Sequence, residues 1–171
     1  SHFKHNQFCI LLEYLSSAKG IAVPMSLAEF PCAITLADRV HADSDLPPLE
    51  CAKTFPSSVE KIIHYSGKGR DITDFETFLK STQASGQKNL LLLTGDKLKG
   101  HTNGQDGTNR TRYLESVNAV MAAKCYGGFH IGVAFNPFKY AEAERDAQYL
   151  KLHKKLLHNY IKYSYFLNCK K

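Results

Sequence analysis

Residues 88–99 read KNLLLLTGDKLK, and the four consecutive leucines Leu90 to Leu93 govern the reading of everything around them. An apolar run with no alternation suits a strand covered on both faces, as in a parallel sheet flanked by helices. Thr94-Gly95-Asp96 breaks the run. In parallel α/β proteins the loops beyond the strand carboxyl ends carry the working residues, so Asp96 is expected at the mouth of a site. The plainer alternative is that Gly95-Asp96 simply begins a turn.

Upstream of this strand, Ile72 to Ser85 has the helical pattern Ile72, Phe75, Phe78, Leu79. Thr73 is a candidate N-cap with Glu76 three residues on, and Gly86 stops the helix. Val59 to Tyr65 precedes it as a strand. Together these segments make a strand–helix–strand unit of the length a parallel crossover requires. Further upstream, Phe8 to Leu15 and Cys32 to Ala37 read as strands. Between them, residues 16–31 leave room for a short helix near Met25 to Phe30. Pro47 and Pro48 sit near the first turn of a helix running to about Phe55. Downstream, His101 to Thr111 is a polar loop and Arg112 to Cys125 a helix with Tyr113, Val117, Val120 and Met121 on one stripe. Phe129 to Phe135 is a strand, and Lys139 to about Asn159 a long helix.

Polar residues gather at the strand carboxyl ends: Glu13, Asp38, His64, Asp96 and Asn136. In a parallel β/α layout those ends share one face, so the five together point to a site there. Glu13 lies inside an apolar run, where a carboxylate costs free energy unless it is paired or opens into a polar cavity. It reads either as a strand-end acid at the solvent boundary or as an acid for proton transfer. His64 reads either as a structural histidine or as part of that site. The glycines in Ser66-Gly67-Lys68-Gly69-Arg70 could let backbone amides approach a phosphate, although the spacing is no P-loop.

The chain has 171 residues, 43% hydrophobic and 22% charged, which suits one soluble globular domain. No apolar run is long enough to cross a bilayer, and SHFKHNQF at the start is not a signal peptide, though a processed transit peptide is compatible with it. The formal charge of +6 equals the six lysines after Asp146 (Lys151, Lys154, Lys155, Lys162, Lys170 and Lys171), so the body is balanced. Toward the end of the chain Tyr149, Tyr160, Tyr163, Tyr165 and Phe166 interleave with lysines. This stretch is read as a solvated helix face and frayed terminus in preference to a nucleic-acid or membrane contact. The five cysteines lack a CxxC pair, which argues against metal and disulfide frameworks. Free thiols in an intracellular reducing compartment follow, cytoplasmic or alternatively mitochondrial.

These residues resemble the methylenetetrahydrofolate reductase family over roughly Phe8 to Leu157. NLLLLTGD at 89–96 is similar to the family's strand ending in Leu-x-Gly-Asp. IIHYSGKGRD at 62–71 resembles its His-Leu-Ser/Thr-Cys segment, and AITLADR at 33–39 and IGVAFNP at 131–137 resemble further strands. The resemblance implies a TIM-barrel-like (β/α) domain binding FAD and using NAD(P)H to reduce methylenetetrahydrofolate to methyltetrahydrofolate. Carried over, Glu13 is the proton donor, and Asp96 lies beside the flavin pyrimidine edge and the folate pterin. Thr35, His64 and Lys155 contact the flavin cofactor. The family continues through three further strands where this chain reads YIKYSYFLNCKK. A partial barrel over residues 1–159 with a basic aromatic tail over 160–171 is therefore expected. A protein partner or second copy would cover the open edge. The alternative is a catalytically inactive reductase-like subunit of a larger complex.

Overall fold

The computed structural model describes residues 10–15, 32–38, 45–95, 113–157 and 163–166. In chain order these form β1 (Ile10–Tyr14), β2 (Cys32–Leu36), α1 (Pro48–Lys53), β3 (Glu60–Ser66), α2 (Ile72–Ala84), β4 (Asn89–Leu93), α3 (Ser116–Tyr126), β5 (His130–Phe135), α4 (Glu142–Leu156) and β6 (Tyr163–Phe166). The strands make one six-stranded sheet in sequential order, and every neighbouring pair is parallel. The expected α/β architecture with parallel strands is present. Right-handed crossovers that always step one strand in the same direction bring their helices to one side of the sheet.

Side-chain burial matches that arrangement. One core joins Ile34, Leu36, Ile63, Tyr65, Leu90, Leu92, Ile131 and Val133 of the strands to Cys51 of α1, Phe75 and Leu79 of α2, and Ala119, Val120 and Ala123 of α3. The alternate strand residues Ala33, Ile62 and Leu91, with Leu11 and Leu93, form a second cluster to which no described helix contributes. The leucine run divides between the two: Leu90 and Leu92 meet the helices, while Leu91 and Leu93 line the second face. Both faces of this strand are apolar, so its sequence does not alternate.

Several local expectations shift. Helix α2 is capped by Asp71, whose side chain accepts from the Thr73 and Asp74 amides while Asp74 answers to the Asp71 amide. This is a capping box two residues earlier than the Thr73–Glu76 pair. Helix α3 begins at Ser116, not Arg112, because the preceding residues are held extended. The Leu114 amide donates to Gly67 O at 3.0 Å, Tyr113 bridges Lys68, and the Tyr113 hydroxyl donates to Gly95 O at 3.0 Å. The buried stripe of α3 is Ser116, Ala119, Val120 and Ala123, small residues that let it approach the sheet. Met121 is 45% exposed. Within the expected tail, Tyr163–Phe166 is a sixth strand paired with β5. The short helix expected near Met25 to Phe30 lies outside the described residues.

Candidate functional site

The second face of the sheet brings Glu13, Thr35 and His64 together. Glu13 pairs in register with Thr35, and Thr35 with Ile62. His64 lies two residues beyond Ile62 on the same face, diagonal to Thr35. Glu13 is exposed and Thr35 half-buried, whereas His64 is only 3% exposed. Its Nε2 has no hydrogen-bond partner among the described residues. Burial pushes the imidazole down to about 4, with the Asp38 carboxylate pulling weakly the other way. The ring is therefore neutral at pH 7 and presents a buried polar atom that the described chain does not satisfy.

Asp38 sits just beyond β2 and is buried. Its Oδ2 accepts from the Ser66 amide at 2.8 Å, and Arg70 grips both oxygens, through Nη1 to Oδ2 and through Nη2 to Oδ1 at 3.2 Å. The guanidinium lies 4.8 Å above the Tyr65 ring. Two-point pairing of this kind fixes orientation as well as charge. Beside the pair, a cavity of about 480 Å³ opens between α1 and α2. Pro47, Leu49, Tyr65, Arg70 and Phe78 are among the residues that line it.

The Ser66–Arg70 loop, read from the sequence as one whose amides could approach a phosphate, holds the rim of the sheet through its own backbone. The Gly67 amide donates to Leu93 O at 3.0 Å, and Gly67 O accepts from the amides of Leu114 at 3.0 Å and Arg70 at 3.2 Å. A Cβ at Gly67 would lie 1.9 Å from Leu114 O. The glycine is needed for close backbone packing at the β3–β4 rim, and the amides of Gly67 and Arg70 are bonded within the protein.

Lys155 is not brought to this face. It is buried on α4, which packs on α3 in the helical layer, across the sheet from Glu13, Thr35 and His64. Burial pushes its ammonium down to about 8, Lys151 acting in the same direction and Glu115 opposing. Asp96 lies outside the described residues. Asn136 follows β5 and accepts from the Phe138 amide at 3.0 Å, a turn-forming contact.

One polar chain escaped sequence reasoning. Asn89 Nδ2 donates to Glu60 Oε1 and to Lys61 O, each at 3.2 Å. Its Oδ1 therefore faces His130 Nδ1 at 3.0 Å, which places a proton on that nitrogen. Glu60, Asn89 and His130 belong to three neighbouring strands and lie far apart in sequence, so no spacing links them. The Asp38–Arg70 pair was hidden for the same reason.

Among the described residues no group of three or more His, Cys, Asp or Glu is placed to hold a metal ion. None of the described helices is long and apolar enough to cross a membrane. Cys51 is buried and Cys125 exposed, and both are free. No protein-family model matches the chain, and no curated protein matches it.

Proposed function

We propose that this chain is a flavin-dependent oxidoreductase of the methylenetetrahydrofolate reductase type, built on a partial TIM-barrel-like (β/α) fold whose second sheet face takes the flavin ring. The observation that carries this reading is the meeting of Glu13, Thr35 and His64 on that one face. Strand order supports the barrel-like part, because six parallel strands follow one another without the reversal that marks a doubly wound sheet. Register supports it too. The row Glu13–Thr35–Ile62–Asn89–His130 starts near the carboxyl end of β1 and finishes at the first residues of β4 and β5. Such stagger accompanies the tilted strands of a barrel.

The second face fits a flat ring with polar edges. Its centre is apolar at Ala33, Ile62 and Leu91, Gly132 lies in register with Leu91, and the unpartnered His64 Nε2 fits a polar ring atom. Lys155 does not fit the role the resemblance gives it, and no cofactor contact is assigned to it. FAD, when bound, would supply the hydride chemistry, taking a hydride from NAD(P)H and passing it to the folate. Glu13, exposed at the end of β1, supplies the proton that opens the folate's bridging ring. Thr35 and His64 would hold and orient the flavin ring.

A second reading, a reductase-like subunit that assembles with another protein or a second copy, is favoured by β1. This strand ends the sheet among the described residues, with Leu12 38% and Leu15 44% exposed. The two readings separate in one assay of NAD(P)H-dependent methylenetetrahydrofolate reduction with added FAD. The enzyme reading expects turnover that Glu13→Gln abolishes while flavin binding survives. Absence of turnover at every FAD concentration would sink it.

A further inference from the structure

We propose that the outward face of α4 is a self-association surface: a second copy of this chain packs its own α4 there, antiparallel, apolar seam on seam and acidic half against basic half. The inward face of the helix is fixed by its neighbours. Leu152 packs against the core, Lys155 is buried and Gln148 half-buried, while Tyr149 at the flank meets Phe135 with ring centroids 5.1 Å apart. On the opposite side Ala143, Ala147, Leu150, Lys154 and Leu157 recur at alternating four- and three-residue spacing. That spacing is the seam of a helix pair. All five are exposed, Leu150 to 55% and Leu157 to 61%. Just before the helix, Phe138 and Tyr140 continue the exposed apolar surface.

Charge selects the occupant. Glu142, Glu144 and Asp146 stand in the first half of α4, and Lys151, His153 and Lys154 in the second. Arg145, the base in the acidic half, is bridged to Glu142 of its own helix at 3.9 Å. A helix with opposite charges at its two ends complements a copy of itself turned end for end. A twofold axis between Ala147 and Leu150 sets Ala147 against the partner's Leu150 and Ala143 against the partner's Lys154. It also brings Glu144 to the partner's Lys151 and Asp146 to the partner's His153, each contact made twice. A parallel pair would set acid on acid and base on base. Lys151 already holds Glu115 at 3.4 Å in an exposed pair, which the partner's Glu144 joins. Exposed ion pairs add little affinity and set orientation, so the association comes from Leu150, Leu157 and Tyr140. One helix pair buries less than a standard interface of about 1,600 Å², and the dimer is therefore reversible. The surface lies on α4, so neither the flavin reading nor the β1 edge enters.

The test is sedimentation equilibrium of the full chain from micromolar to millimolar concentration, where a monomer–dimer equilibrium is expected. Leu150 contributes nothing to the core, so Leu150→Glu should keep the wild-type circular dichroism spectrum and sediment as a monomer. Glu144→Lys and Lys151→Glu should each weaken the dimer several-fold. An equimolar mixture of those two variants should associate more tightly than either alone, because every Glu144–Lys151 contact across the axis is then opposite in sign. A wild-type chain that stays monomeric at millimolar concentration would overturn the proposal. So would a dimer that survives Leu150→Glu, or a mixture that associates no better than its components.

Discussion

His64 and Gly67 stand three residues apart on one strand end and are constrained by opposite means. His64 carries a buried polar atom, Nε2, that no described residue satisfies, an arrangement that costs stability. With its folded-state value lowered from 6.5 to about 4, the unfolded chain takes up a proton before the folded one does. Stability is then full above pH 6.5, falls as the pH drops toward about 4, and levels off below. The loss is on the order of 3 kcal/mol. Urea unfolding at pH 7 and pH 4 should show that loss in the wild type and much less of it in His64→Leu. At pH 7 the Leu variant should be more stable than the wild type by about 1 kcal/mol. Gly67 is constrained by space. A methyl group 1.9 Å from a backbone oxygen cannot be accommodated by a side-chain rotation. Gly67→Ala should cost on the order of 3 kcal/mol, as the β3–β4 rim separates from Leu114. A midpoint of urea unfolding close to wild type would contradict the close crossing.

At the scale of single elements, helix α4 carries an internal cost at Lys155. Its ammonium, held at about 8 against an ordinary 10.5, is a desolvated charge at neutral pH. Stability should therefore rise as the pH climbs from about 8 to 10.5, where the unfolded chain loses its extra proton. Lys155→Met keeps the buried stem and removes the charge, so it should raise stability at pH 7 by roughly 1–3 kcal/mol and flatten that alkaline rise. A destabilised Met variant would show that the amine has a partner that offsets its burial. The elements themselves were largely legible in the sequence. The leucine run of β4, the spacing of Phe75 and Leu79 in α2, and the apolar run of β5 each carry their own periodicity. Boundaries were less so, because tertiary contacts set them. Arg112 to Glu115 look helical alone, yet Leu114 and Tyr113 are drawn into extended backbone by Gly67, Lys68 and Gly95. Residues 163–166 lack the apolar run of an inner strand, and only the pairing with β5 makes them one.

For the whole molecule, sequential order and parallel pairing place the helical core on one side of the sheet and Glu13, Thr35 and His64 on the other. The strand-end positions of Glu13 and His64 were visible in the sequence, Thr35 was named only through the family resemblance, and the side of the sheet each takes follows from the register. The cross-strand partnerships were not visible: Asp38 with Arg70, and Glu60 with Asn89 and His130, depend on register. Lys155 was misplaced for a related reason, because its position along the chain says nothing of the side of the sheet on which its helix lies. The central claim is that the second face holds a flavin ring against His64. The most direct measurement is a fluorescence titration of FAD into the wild-type chain and into His64→Leu. The expected result is saturable quenching by the wild type and an affinity at least about tenfold weaker in the folded Leu variant. FAD that stays free in the presence of both proteins, or binds both equally, would contradict it.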